Sequence, residues 1–166
     1  MIASLEIEGG APLRLWRGVV LPDWLDYNGH MTEHRYLQAF GETSDALYGA
    51  LGVDFSRAVE SAYYTLETHI RHRAEAKVDT PLWSETEILG YDEKRLHLHH
   101  TLFDASGKLL ATGEHLSIHV TASSAAPAPE AMLETIKRLF LLQRNRPLPD
   151  GTGSVLKRRL SHSRGA

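Results

Sequence analysis

The stretch Pro22-Asp23-Trp24-Leu25-Asp26-Tyr27-Asn28-Gly29-His30-Met31, PDWLDYNGHM, crowds two acids, an amide and a histidine just ahead of a strong helical pattern. A polar residue before a helix usually caps it, because the first backbone N–H groups have no partner inside the helix. One such residue is enough for a cap. Four of them at one helix start point to a polar site built against the helix N-terminus.

Upstream, LRLWRGVV at Leu13–Val20 alternates as a strand does, with Leu13, Leu15 and Arg17 on one face and Arg14, Trp16 and Gly18 on the other. Pro22 ends it, since proline cannot donate to a strand ladder. Downstream, from about Asn28, the period becomes helical. Leu37, Phe40, Ser44, Leu47 and Leu51 fall on one stripe with Met31 and Ala46 nearby, while Glu33, Arg35, Glu42 and Asp45 are expected to face outward. Gly49 and Gly52 bracket the stop. This helix is expected to be central and mostly buried.

Four strand-like segments follow: Ala62–Ala76, Leu82–Asp92, Arg95–Ala105 and Leu109–Val120. The short links at 92–94 and 105–107 imply antiparallel neighbours. After the linker TASSAAPAP a second helical pattern runs from Pro129 to about Asn145, with Met132, Ile136, Leu139 and Phe140 on its apolar face. Residues 1–11 are expected to be a lead-in, 12–145 the single domain, and 146–166 a flexible tail. The class is α+β: an antiparallel five-stranded sheet with a long helix on one face and a C-terminal helix. Open sheet edges would be left for a second subunit.

Composition narrows the function. A chain of 166 residues can bury a core without covalent staples. Its net charge of −3 argues against a general polyanion binder, so no nucleic-acid partner is expected. The absence of cysteine excludes disulfides and thiolate chemistry. The start, MIASLEIEGG, has no basic region followed by a long apolar run, and no stretch reaches the roughly 18 apolar residues that span a bilayer. A cytoplasmic protein with no membrane partner is expected.

The order of elements, together with PDWLDYNGHMTEHRYLQAF, resembles the hot-dog fold acyl-CoA thioesterases of the 4-hydroxybenzoyl-CoA thioesterase type, from about Leu13 to Val120. Two segments, DYNGHMTEHRYLQAFGETSDAL and YYTLETHIRH, are similar to the betainyl-CoA thioesterases of carnitine degradation. The resemblance implies a single hot-dog domain that works as a homodimer or homotetramer. Its substrate would be a small acyl-CoA, foremost betainyl-CoA, cleaved to glycine betaine and CoA. No cofactor is expected beyond the coenzyme A of the substrate. By the same resemblance Asp26 takes the catalytic acid position, as general base or nucleophile, and Asn28 and His30 hold the turn and orient water or the carbonyl.

Residue chemistry leads the same way. Thioester hydrolysis needs a carboxylate near the carbonyl carbon and donors where the oxyanion develops. A helix N-terminus offers such donors, so the backbone N–H groups around Gly29, Met31 and Glu33 are candidate polarisers. Gly29 allows a positive φ or close approach of a ligand. A plain cap at Asp26, worth about 1 kcal/mol, is the bland alternative, and Asp23 reads as a loop acid.

Other candidates are substrate-binding. Trp24, Tyr27 and Tyr36 bracket the site, and aromatic faces recognise quaternary ammonium groups. Glu67 shares a strand face with His69, as an interface or pocket-wall residue. Arg71 and Arg73, with Lys77, could meet CoA phosphates. The pairs His97/His99 and His115/His119 could form a cross-strand cluster, yet no metal is expected because there is no carboxylate-histidine helix motif and exposed strand histidines are commonplace. An enoyl-CoA hydratase or dehydratase of the same fold, and a non-catalytic acyl-CoA-binding module, are the alternatives.

Overall fold

Residues Glu33–Ala50 form one long helix, α1, whose buried stripe is Tyr36, Ala39, Phe40, Thr43, Ser44, Leu47 and Tyr48. A stripe of that length needs a continuous surface over it, and an antiparallel sheet provides one. The computed structural model describes residues 10–122, 124–153 and 162–163. Its other elements are β1 (Leu13–Val19), β2 (Ala62–His72), β3 (Pro81–Tyr91), β4 (Arg95–Asp104), β5 (Leu109–Thr121), β6 (Ser124–Ala125), α2 (Glu130–Gln143) and β7 (His162–Ser163). The five long strands run in the order β1-β3-β4-β5-β2, with the two-residue β6 on β5 and β7 on β3. Helix α1 touches all five long strands. The expected hot-dog arrangement, a curled antiparallel sheet around a central helix, is present, and α2 follows it as the C-terminal helix.

Two apolar clusters lie along α1. Near its C-terminal end Leu47, Tyr48 and Leu51 pack with Ile88, Leu96 and Leu98 of the sheet and with Ile136, Leu139 and Phe140 of α2. Toward its N-terminal end Tyr36, Ala39 and Phe40 pack with Trp24, Met31, Leu82, Leu102 and Ala111. Full burial of a side chain such as Phe40 or Leu47 stabilises by roughly 1.5–3 kcal/mol. Gly113 lets the helix come this close: a Cβ there would lie 2.9 Å from Phe40 Cδ2.

Between the clusters runs a polar layer. Thr43 Oγ1 meets Ser84 Oγ at 2.9 Å, Tyr48 donates its hydroxyl to Ser117 Oγ at 2.8 Å, and the His100 ring bonds Ser44 Oγ and Thr86 Oγ1, both at 2.9 Å. The His115 ring lies 4.9 Å from that of His100 and bonds Thr68 Oγ1 on β2 at 3.1 Å.

Several expectations are corrected. Leu37, placed on the apolar stripe by its spacing, is 48% exposed, because the stripe is centred on Tyr36 and Phe40. Arg35, expected outward, lies over the Trp24 ring at 5.4 Å. The helix starts at Glu33 rather than about Asn28, and β2 ends at His72 rather than Ala76. The histidine pairs do not form one cluster. His115 faces α1, whereas His97 bonds Glu114 on the opposite face of the sheet at 2.7 Å. Among the described residues no group of three or more His, Asp or Glu side chains is arranged to hold a metal.

Residues 146–153, expected as part of a loose tail, are tied to the outer face of the sheet. Arg146 Nε donates to Glu87 Oε2 at 3.0 Å and the Gly153 N–H donates to both carboxylate oxygens of Glu114 at 3.1 Å. Residues 1–9 of the lead-in and residues 154–161 and 164–166 of the tail lie outside the described residues. No helix among the described residues is long and apolar enough to cross a membrane.

The buried imidazoles make stability depend on pH. Burial, helped by His115 and His99, holds His100 well below the ordinary imidazole value of 6.5. Burial, with His99 beside it, lowers His115 from 6.5 to about 4. The unfolded chain therefore binds protons that the folded chain refuses between those values, so stability is complete above about pH 6.5 and falls as pH drops toward 4. Urea unfolding at pH 7 and pH 4.5 should show a loss on the order of a few kcal/mol. His115→Gln should lose less over the same interval; an equal loss in the variant contradicts this assignment.

Candidate active site

The opening motif folds into a closed turn. After β1 the residues Pro22–Trp24 make a single 3-10 turn that buries Trp24. The chain then doubles back, with Leu25 bridged to Met31. The Asp26 N–H donates to the His30 carbonyl at 2.8 Å and the Gly29 N–H to the Asp26 carbonyl at 3.0 Å. Asp26 Oδ1 accepts the N–H groups of Asn28 at 2.8 Å and His30 at 3.2 Å, the local side-chain turn that Asp favours. Oδ2 has no protein partner among the described residues. Gly29 takes φ +75°, and a Cβ there would meet nothing within 4 Å, so the requirement is backbone conformation and not space.

The turn is clipped to the rest of the molecule on both sides. The Met31 N–H donates to the Ala76 carbonyl and the Thr32 N–H to the Trp24 carbonyl, both at 2.8 Å. Helix α1 then begins with Thr32 in cap geometry (φ −70°, ψ 152°) but without a side-chain cap bond. The Thr32 hydroxyl is held instead by His34 Nδ1 at 2.8 Å. The N–H groups of Glu33 and His34 consequently have no backbone partner among the described residues, while those of Gly29, His30, Met31 and Thr32 are all taken. Of the proposed polarisers, Glu33 offers an open donor, and Gly29 and Met31 do not.

A pocket of about 400 Å³ opens here. Asp26, Asn28, His30, Met31, Glu33 and Tyr36 line it from the turn and helix side, and His72, Arg73, Ala74 and Glu75 from the segment after β2. The two sides are joined by His30 Nε2 and Glu75 Oε2 at 3.2 Å and by the Tyr36 hydroxyl, which donates to the Ala74 carbonyl at 3.2 Å. Burial, with the charges of Glu75 and Asp26, raises the Tyr36 phenol above its usual pKa. That phenol is therefore neutral at physiological pH.

Other expected site residues lie elsewhere. Trp24 is 6% exposed within the core, and Tyr27, at the tip of the turn, is 97% exposed; neither lines the pocket. Glu67 is on β2 next to a register shift between Thr65 and Glu67, away from the pocket wall. Arg71 is also off the wall, but Arg71 and Arg73 converge on Asp150, at 3.3 and 2.6 Å, and hold its carboxyl below the usual carboxylate range. Asp23 pairs with Arg35 at 3.3 Å, as a loop acid would. His72 and Glu75 were missed. The loss of strand alternation after His72, in Arg73-Ala74-Glu75-Ala76, was the signal available for them.

The model of the family described as the thioesterase-like superfamily matches residues 20–136, which hold the turn, α1 and strands β2 to β6. The chain belongs to the thioesterase-like superfamily. Within this superfamily it is 37% identical, over 82% of its length and 89% of the relative's, to the betainyl-CoA thioesterase of Pseudomonas aeruginosa. It is 44% identical, over 92% of its length, to the L-carnitine dehydrogenase/betainyl-CoA thioesterase of Agrobacterium fabrum, of which it covers 32%. The chain thus spans about a third of the length of the fused relatives it matches. A solved structure from Pseudomonas putida, 34% identical, superposes with a TM-score of 0.77 over 89% of this chain and 97% of that one.

The geometry of the turn makes a direct prediction. Gly29→Ala forces an L-residue into the left-handed region and should cost about 1 kcal/mol, lowering Tm by roughly 2–4 °C. Gly29→Asn should cost less, since Asn tolerates that region. Thermal unfolding of both variants checks this, and an unchanged Tm for Gly29→Ala contradicts it.

Proposed function

We propose that this chain hydrolyses a small acyl-CoA thioester, with betainyl-CoA as the favoured substrate, to the free acid and CoA. The observation that carries this is that Asp26 and Glu33 line one pocket, with the Glu33 N–H at the start of α1 left without a backbone partner among the described residues. The names of the relatives support the reaction class and the acyl group.

In this scheme the thioester carbonyl oxygen lies against the Glu33 N–H, where the helix dipole favours developing negative charge. Asp26 Oδ2 either attacks the carbonyl carbon or takes a proton from the attacking water. On the base route the water oxygen bonds to the carbonyl carbon as the C–S bond breaks. On the nucleophile route Asp26 forms a mixed anhydride as the C–S bond breaks, and water then cleaves it to the product acid and the free carboxylate. On both routes the thiolate leaves with a proton. His30, braced by Glu75, stands in the same wall to hold water or the carbonyl. Arg73, in the pocket wall, and Arg71, which shares Asp150 with it, are the cations assigned to the CoA phosphates. A hydrolase of CoA thioesters would work in the cytoplasm.

Among the described residues the strand order leaves β2 unpaired along one edge, with Tyr64 and Leu66 about half exposed on it. Such an edge pairs readily with a second copy, and we assign the homo-oligomer contact to it. Leu66→Arg should shift sedimentation to a smaller species; an unchanged particle mass contradicts the assignment.

Asp26→Asn tests the mechanism. The amide oxygen can accept the same two N–H groups, so the turn should survive and the protein should fold. Removal of the carboxylate should lower kcat by about 10²–10⁴. Hydrolysis at a near-wild-type rate across a panel of acyl-CoA thioesters would remove Asp26 from the reaction.

A further inference from the structure

Charge is distributed unevenly around the pocket. Three carboxylates line it, those of Asp26, Glu33 and Glu75, against one guanidinium, that of Arg73. The guanidinium is already answered from outside the pocket by Asp150 at 2.6 Å. Counting permanent charges alone, the wall is negative. The aromatic cage that the sequence suggested is absent, because Trp24 is in the core and Tyr27 is in solvent. Tyr36 is the one phenol in the wall, packed edge-on against His72 with ring centroids 4.8 Å apart.

Taking the thioesterase proposal above as its basis, we infer that Glu75 is a specificity-determining residue that selects an acyl group bearing a fixed positive charge. A trimethylammonium group cannot donate a hydrogen bond, so shape and charge are the means by which a protein can distinguish it from a tert-butyl group. Glu33 stands on the first turn of α1, where the helix dipole offsets part of its charge. Glu75 has no such offset. Its carboxylate reaches across to His30 at 3.2 Å, its side chain is 73% exposed, and its charge is felt at the Tyr36 hydroxyl together with that of Asp26. Glu75 thus enters the pocket from the segment after β2, whereas Asp26 enters it from the turn, and the far end of a short acyl chain is assigned to the Glu75 side. The same negative wall disfavours an anionic acyl group.

The test compares kcat/KM for betainyl-CoA and for 3,3-dimethylbutanoyl-CoA, in which carbon replaces the quaternary nitrogen. The wild-type protein should prefer the cationic substrate by tenfold or more. Glu75→Gln should reduce that ratio at least tenfold, and Glu75→Asp, which keeps the charge, should retain most of it. Equal losses on both substrates in Glu75→Gln would reduce Glu75 to a positioning partner of His30 and overturn the inference. Equal cleavage of the two substrates by the wild-type protein also overturns it, while leaving the thioesterase proposal standing. Cleavage of neither removes that proposal, and this inference with it.

Discussion

The two hydrogen bonds that Asp26 Oδ1 accepts from the Asn28 and His30 N–H groups are the constraint on which the site depends. They close the turn tightly enough for the next residue, Met31, to dock in the core and clip to Ala76, and for α1 to begin two residues later. The carboxylate has two oxygens, and the turn uses one. A structural cap and a chemical role therefore do not compete at Asp26: the bonds that hold the side chain also fix the direction of its second oxygen. At the helix start the opposite choice is made. The Thr32 hydroxyl, in position to cap, is drawn away by His34, and the first N–H groups stay open. A cap left unmade costs about 1 kcal/mol, the kind of local cost that functional sites carry.

The polar layer under α1 gives this arrangement a fixed register. Apolar contacts alone would tolerate a small slide of the helix along the sheet. The bonds from Thr43, Ser44 and Tyr48 to Ser84, His100 and Ser117 would not, since each broken bond leaves a buried polar group unpaired. The position of the helix N-terminus relative to Asp26 is thus set from the middle of α1. Within the layer His115 Nε2 has no hydrogen-bond partner among the described residues, and this imidazole adjoins Phe40, one turn below Tyr36 of the pocket wall. The acid sensitivity of the fold and the geometry of the site meet at that contact.

Much of this was legible in the sequence because it rests on short-range periodicity. Alternation marked the strands, a helical stripe marked α1, and the crowding of Asp26, Asn28 and His30 marked the turn. What was not legible depends on tertiary placement. Leu37 has the spacing of a core residue, yet the sheet reaches the helix around Tyr36 and Phe40. Trp24 and Tyr27 are close to the site in sequence, but the turn sends one into the core and the other into solvent. Glu75 is far away along the chain and arrives through tertiary bonds, the Met31 N–H to the Ala76 carbonyl, the Tyr36 hydroxyl to the Ala74 carbonyl and His30 to Glu75 itself. Residues 146–153 have the composition of a loose tail, and long-range pairs to Glu87, Arg71, Arg73 and Glu114 hold them.

The account stands most directly on where the acyl carbonyl binds. A crystal structure of Asp26→Asn with a non-hydrolysable ketone analogue of an acyl-CoA, in which CH2 replaces the thioester sulfur and the carbonyl is kept, would show it. The account predicts the carbonyl oxygen within hydrogen-bonding distance of the Glu33 N–H, its carbon beside the residue 26 side chain, and the acyl end toward Glu75. An analogue seated on another face of the sheet, with both groups facing empty solvent, would contradict it.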